Sequence, residues 1–90
     1  MLQARFTGPF KRERKLMQKR GMDVYKLTDI LDMIINEQPL PPERRNHPLQ
    51  GEWKDSLECH IQGDWVLVYE IDKVKRTVTF HHTGSHSDLF

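Results

Sequence analysis

The chain has 90 residues, 37% hydrophobic and 30% charged, with a formal net charge of +1 at pH 7. Its length allows one domain around a modest core, because small domains bury only about 60% of the surface that their unfolded chains expose. No apolar run approaches the roughly 20 residues of a membrane span, and no signal-peptide pattern is present, so we expect a cytoplasmic protein. The single cysteine cannot form an internal disulfide, so stability must come from packing.

The first third of the sequence predicts one strand followed by two helices. Apolar and polar residues alternate from Leu2 to Phe6, which is typical of a half-buried strand. Thr7 is placed to cap a helix that ends at Gly21, and Asp23 is placed to cap a second helix that runs to about Asn36. Eight apolar side chains at helical spacing are expected to face the core: Phe10, Leu16, Met17, Val24, Leu27, Ile30, Leu31 and Ile34.

The remaining residues predict a loop and three strands. Three prolines between residues 39 and 42 favour an extended surface loop from Gln38 to Gly51. Strands are expected over about 52–61, 65–71 and 75–83, joined by short turns. Val78, Phe80 and His82 should share one strand face, and Cys59 should be a buried, inert thiol.

This order of elements predicts an α+β domain over residues 1–90. The order is β-α-α-β-β-β, with a small antiparallel sheet of about four strands and the two N-terminal helices packed on one face. Residues of that face that extend beyond the covering helices would form the floor of a cleft. We expect a functional site there.

Basic residues are concentrated at the N-terminus and in the proline-rich loop. Residues 1–20 contain seven Lys and Arg against one Glu, a net charge of +6 that leaves −5 for the rest of the chain. Lys11, Lys15 and Lys19 follow one stripe of the first helix, and Arg44 and Arg45 lie in the loop. They are candidate contacts to RNA phosphates, although a solvated helix face would also carry such lysines.

Five histidines fall between residues 47 and 86, an unusual density for ordinary antiparallel sheet. Imidazole both accepts and donates a proton near neutral pH, so several rings in one place indicate acid–base chemistry. The histidines occur in three motifs, HPLQG from His47, ECHIQGDW from Glu58 and FHHTGSH from Phe80.

These motifs, together with the closing TGSHSDLF, resemble the RelE superfamily of bacterial toxins, and most closely its YafQ branch. The resemblance covers essentially the whole chain and implies a RelE-like fold. It also implies a type II toxin, a ribosome-dependent endoribonuclease that cleaves mRNA in the A site and arrests translation and growth. A cognate antitoxin would neutralise the toxin, and operator DNA would be bound only through their complex.

The resemblance also implies the site residues. By motif, His47, His60, Asp64 and His86 match catalytic positions, while Trp65 and Phe90 match substrate contacts. We expect proton transfer by His60 and His86, with acid and base not yet assigned. Asp64 would orient an imidazole, His47 would contact the phosphate, and no cofactor or metal would be needed. The products would be a 2′,3′-cyclic phosphate, or the 3′-phosphate from its opening, and a 5′-OH.

One position departs from the family pattern. Where the family usually has Arg before TG(S/T)H, this chain has His82. Arg is permanently charged and grips phosphate with two donors, whereas imidazole offers one. Loss of such a transition-state contact can cost about 10²-fold in rate. His82 is therefore either a natural, weaker substrate ligand or a substitution that attenuates the toxin.

Two other interpretations compete with the nuclease. His82 and His86 are four residues apart, an interval that binds zinc on a helix, but Thr83 and Gly84 between them disfavour a helix. A non-catalytic module would instead bind ribosomes or RNA through the basic first helix, and its histidines would be incidental.

Overall fold

A computed structural model of residues 1–90 contains one five-stranded sheet with two helices on one face. Its helices and strands are β1 (Gln3–Phe6), α1 (Gly8–Lys19), α2 (Val24–Ile35), β2 (His47–Pro48), β3 (Leu57–Gln62), β4 (Trp65–Asp72), β5 (Thr77–Ser85) and α3 (His86–Leu89). Single 3₁₀ turns at Pro42–Arg44 and Gly51–Trp53 flank β2. The predicted α+β class is confirmed. None of the helices has the length and apolar character needed to cross a membrane.

The predicted capping residues begin both N-terminal helices. The Thr7 hydroxyl oxygen accepts a hydrogen bond from the Phe10 N–H at 3.1 Å, and the Asp23 carboxylate accepts one from the Tyr25 N–H at 3.0 Å. The Thr7 hydroxyl also donates to the His81 carbonyl at 2.9 Å. The residue that starts α1 therefore fixes this helix against β5.

The core lies between the two helices and one face of the sheet. Buried side chains of α2, such as Leu27 and Ile30, pack with Cys59, Leu67 and Phe80 from the three long strands. Leu16, which the pattern predicts inside, is 43% exposed, because Phe10 and Met17 already fill the buried face of α1.

The sheet differs from the prediction in its strand directions and strand number. Its order is β1-β5-β4-β3-β2, and β1 pairs with β5 in parallel, so the sheet is mixed and not antiparallel. Short turns predict antiparallel pairing only for strands that are consecutive in the sequence, and β1 and β5 are not consecutive. The fifth strand, β2, lies inside the segment predicted as loop. The predicted strand from Glu52 starts only at Leu57, because Gly51 has φ +69° and begins a turn.

A β-bulge at His81 reverses the predicted face of His82. Tyr69 pairs with Phe80 and Val68 pairs with His82, so His81 is an extra residue between two ladder pairs. Tyr69 and Phe80 point into the core, whereas the next pair, Val68 and His82, points to the opposite face. The prediction that His82 shares a face with Phe80 is wrong, since strict alternation does not account for a bulge.

Candidate active site

Glu58 lies at the centre of the histidine cluster, on the face of the sheet opposite the hydrophobic core. It is on β3, pairs with Val68, and is only 2% exposed. One of its oxygens, Oε1, lies 3.2 Å from Nε2 of His47, 3.1 Å from Nε2 of His86 and 3.8 Å from Nε2 of His60. Three imidazoles from three separate elements therefore converge on one buried carboxylate oxygen.

The prediction that the cleft lies on the helix-covered face of the sheet is therefore wrong. Cys59 and Ile61 of β3 point into the helix-covered core, so the intervening Glu58 and His60 point away from it. Glu58 is not among the site residues that the motifs indicate. The signal that could have identified it is an acidic residue between apolar neighbours in a strand, which needs a partner when it is buried.

The register of β2 positions His47. This strand of two residues pairs antiparallel with β3, with His47 opposite Glu58 and Pro48 opposite Leu57. Residues on paired positions project to the same face, which brings the His47 ring over the carboxylate. Its Nδ1 lies 3.2 Å from the Pro48 carbonyl oxygen. Both ring nitrogens therefore face hydrogen-bond acceptors.

The turn between β3 and β4 orients His60. Its Nδ1 lies 3.4 Å from the carbonyl oxygen of Gly63, a residue with φ +54° that makes the turn. A carbonyl only accepts, so Nδ1 carries the proton in this contact and the lone pair of the neutral ring is on Nε2. Nε2 is the nitrogen that faces Glu58 and the other rings.

A short capped helix presents His86. Ser85 and Asp88 form a capping box, in which each side chain accepts from the backbone N–H of the other residue. Arg20, at the end of α1, holds Asp88 through a 2.7 Å ion pair. Hydrogen bonds from Arg20 and then from Ser85 lower the pKa of Asp88 to about 2. α3 is therefore anchored at the site although it has only one turn.

His82 lies beside the cluster and contacts a different carboxylate, that of Glu13. Its Nδ1 contacts the two carboxylate oxygens of Glu13 on α1 at 3.0 and 3.2 Å. The Trp53 ring lies edge-on at 5.1 Å from the His82 ring, measured between centroids. Trp53 thus forms a wall of the site. His82 and His86 contact different carboxylates, so the helical zinc pair considered above is not assembled.

Phe90 lies at the open side of the site. Its ring centroid is 5.5 Å from that of His86 and 6.3 Å from that of Trp53, and the residue remains 55% exposed. An exposed aromatic ring beside the catalytic candidates can stack on a nucleobase, as the sequence predicts.

Two predicted residues do not join the cluster. Asp64 is exposed in the turn and hydrogen-bonds to none of the imidazoles, so the carboxylate that orients them is Glu58. Trp65 is 3% exposed, and its indole N–H donates to the Thr83 hydroxyl at 2.8 Å. Trp65 therefore packs in the core, and it has no exposed surface with which to make the predicted contact with substrate.

Arginines lie next to the cluster, whereas the α1 lysines line another surface. Arg44 and Arg45 line a cavity of about 410 Å³ together with His60. Arg44 also donates to the Ile61 carbonyl at 2.6 Å, which holds its guanidinium against β3. Lys11 and Lys15 line a groove of about 560 Å³ between α1 and α2, and Lys19 is exposed near the end of α1.

One family of bacterial proteins matches the chain over nearly its whole length. A family model described as the bacterial toxin of type II toxin-antitoxin systems, YafQ, matches residues 2–90. The chain belongs to the YafQ family. This membership confirms the branch of the RelE superfamily that the motifs indicate.

Individual YafQ proteins are similar in both sequence and structure. The mRNA interferase toxin YafQ of Escherichia coli (strain K12) is 40% identical over 87 residues, covering 94% of this chain and 91% of that protein. A chain of the E. coli DinJ-YafQ complex has a TM-score of 0.92 and 35% identity, covering 100% of this chain and 99% of that one. A metal-bound toxin from Helicobacter pylori has a TM-score of 0.93 and 39% identity, covering both chains fully.

Proposed function

We propose that this chain is an mRNA interferase, the endoribonuclease toxin of a type II toxin-antitoxin system. The observation that supports this proposal is the convergence of the Nε2 atoms of His47, His60 and His86 on Oε1 of buried Glu58. RNA cleavage by internal attack needs a base for the 2′-OH, an acid for the departing 5′-oxygen and positive charge on the phosphoryl oxygens. The cluster supplies each of these groups.

His60 is the proposed base. Its Nδ1–H donates to the Gly63 carbonyl, and its Nε2 lies too far from Glu58, at 3.8 Å, to be committed to a hydrogen bond. Nε2 can therefore take the proton of the 2′-OH as the 2′-oxygen forms its bond to phosphorus. The 2′,3′-cyclic phosphate is the first product.

His86 is the proposed acid. Its Nε2–H donates to Glu58, which leaves Nδ1 as the nitrogen available to the substrate. In the imidazolium form, Nδ1–H gives its proton to the 5′-oxygen as the phosphorus–oxygen bond breaks. Glu58 stays ionised and stabilises the charge that moves between the rings, as a positioning residue.

His47 and His82 are the proposed phosphate contacts. The two nitrogens of His47 face the acceptors Glu58 and Pro48, an arrangement that suits a doubly protonated, cationic ring. His82 hydrogen-bonds through Nδ1 only, so its Nε2 is the nitrogen available to a phosphoryl oxygen. Arg44 and Arg45 would contact the flanking phosphates, and Phe90 would stack on a substrate base, a contact worth about 1–3 kcal/mol.

The partners of the proposed toxin follow from its chemistry and its family. Because a structure similar to this chain belongs to the E. coli DinJ-YafQ toxin-antitoxin complex, we propose a cognate antitoxin for this chain, with operator DNA bound only by their complex. The substrate would be mRNA in the ribosomal A site, with Lys11, Lys15 and Lys19 near ribosomal RNA. Such a toxin would act in the cytoplasm.

Primer extension on a translated message after induction in a bacterium tests the function. We expect cleavage by this chain, loss of cleavage in His60→Ala and His86→Ala, and retained cleavage in the control His81→Ala. His81 is the matched control because it also pairs with a glutamate, Glu70, but lies outside the cluster. Tight ribosome binding without cleavage by any form would refute the nuclease and favour the binding module.

A further inference from the structure

The nuclease cluster contains a ready set of ligands for a transition-metal ion. One ring nitrogen of His47, one ring nitrogen of His60 and one Glu58 carboxylate oxygen all lie within 4.8 Å of one another. Two of these separations are known from the contacts with Oε1, 3.2 Å for His47 and 3.8 Å for His60. Ligands at about 2.1 Å from a tetrahedral zinc are separated by about 3.4 Å, so small side-chain adjustments would admit an ion.

The far sides of both rings support the same conclusion. Histidines that bind metals usually donate their second ring N–H to a carbonyl or carboxylate, which fixes the tautomer and the orientation of the ring. Here Nδ1 of His47 faces the Pro48 carbonyl at 3.2 Å, and Nδ1 of His60 faces the Gly63 carbonyl at 3.4 Å. Both rings therefore direct Nε2 at the shared carboxylate, and a metal ion would bind these nitrogens in place of any proton on them.

The type and burial of the ligands indicate which ions fit. Two imidazoles and one carboxylate form a donor set that suits Zn²⁺ and Cu²⁺ better than Mg²⁺ or Ca²⁺, which prefer oxygen ligands only. Glu58 is buried, so an ion at its Oε1 would gain a charged ligand in a low-dielectric setting. His47 remains 46% exposed at the other side, which leaves a path for the ion and a water position.

We propose that His47, His60 and Glu58 bind one Zn²⁺ or Cu²⁺ ion, and that this ion inhibits RNA cleavage. The inhibition rests on the function proposed above. The ion would bind the Nε2 lone pair of His60 that takes the 2′-OH proton. It would also neutralise the Glu58 carboxylate, which accepts a hydrogen bond from His86. Metal and proton therefore compete for the same atoms, and binding releases protons from the rings.

Calorimetric titration of the metal-stripped chain with ZnCl₂ tests the site independently of nuclease activity. We expect one Zn²⁺ per chain, with affinity reduced by about tenfold or more in His47→Ala and in His60→Ala, and unchanged in His81→Ala. His47 is half exposed and its variant should fold normally, so weaker binding there cannot be ascribed to unfolding. Circular dichroism of each variant checks this directly.

The outcomes separate this inference from the proposed function. Binding that is absent in the folded wild-type chain, or unchanged in both His47→Ala and His60→Ala, would overturn the metal site. If the site binds Zn²⁺, cleavage should fall as it fills, return with chelator, and fall equally in His81→Ala. Cleavage that is unaffected by a filled site would overturn the inhibition. A chain that never cleaves RNA but binds Zn²⁺ through these residues would refute the nuclease and leave the ligand set standing.

Discussion

His86 Nε2 lies 3.1 Å from Oε1 of Glu58, although the two residues are 28 positions apart and belong to a one-turn helix and a central strand. The same oxygen is shared with His47 and His60. A carboxylate that is removed from water needs partners that donate to it, and here the donors are all imidazoles. The buried charge and the proposed catalytic rings therefore depend on each other for their positions.

Glu58→Gln should reduce RNA cleavage by about 10²-fold or more, because the amide cannot hold the imidazolium forms as a charged acceptor does. Glu58→Asp keeps the charge on a shorter side chain and should recover part of the rate. Single-turnover cleavage by the purified variants measures both effects, with circular dichroism to confirm folding. Cleavage by Glu58→Gln at the wild-type rate would show that the carboxylate has no role in positioning the rings.

His82→Arg should raise the cleavage rate by about 10- to 100-fold, because a permanently charged fork replaces a single imidazole donor at the phosphate. Glu13, which now accepts from His82 at 3.0 Å, can also pair with the new guanidinium. His81→Arg is the matched control, and it should leave the rate near that of the parent. An unchanged rate in His82→Arg would place residue 82 outside the substrate path.

The sequence predicts the elements of this fold better than their pairing. Thr7 and Asp23 mark the helix starts because capping is a local interaction that a short sequence specifies. The parallel pairing of β1 with β5 and the pairing of His47 with Glu58 depend on residues far apart in the chain. Local patterns contain no information about such pairings.

The site shows the same difference between local and distant information. Of the four catalytic residues that the motifs indicate, the structure brings together His47, His60 and His86 and leaves Asp64 outside the cluster. The motifs also leave out Glu58 and include Trp65, which is buried, as a substrate contact. The role of Glu58 appears only when two strands, β2 and β3, and the helix α3 are in place. The face of His82 depends on one extra residue in β5, which neither alternation nor composition indicates.

The anchor of α3 should weaken in acid. The pKa of Asp88 is lowered to about 2, chiefly by its hydrogen bond with Arg20, so the carboxylate stabilises the fold above its ordinary pKa. That contribution is lost as the pH falls from about 4 to about 2. Wild-type chain should therefore melt at a higher temperature than Asp88→Asn at pH 7 and lose this advantage at pH 2. A difference in Tm that does not change with pH would contradict the ion-pair anchor.

Cys59 should be unreactive in the folded chain. It is fully buried on β3, and burial raises the pKa of its thiol to about 12, which leaves almost no thiolate at pH 8. Labelling with a disulfide reagent should therefore proceed only as fast as the chain unfolds, and it should become complete in denaturant. Stoichiometric labelling of folded protein within the time needed by a free thiol would show that β3 is open to solvent.

A substrate whose scissile 5′-oxygen is replaced by sulfur tests the acid–base assignment most directly, because a thiolate leaves without being protonated. In ribosomes programmed with such a message, we predict that His86→Ala cleaves the sulfur substrate at a rate near that of the wild-type chain while it fails on the oxygen substrate. His60→Ala should fail on both, since the 2′-OH still needs a base. Equal defects of His86→Ala on both substrates would contradict the central claim that His86, held by Glu58, protonates the departing 5′-oxygen.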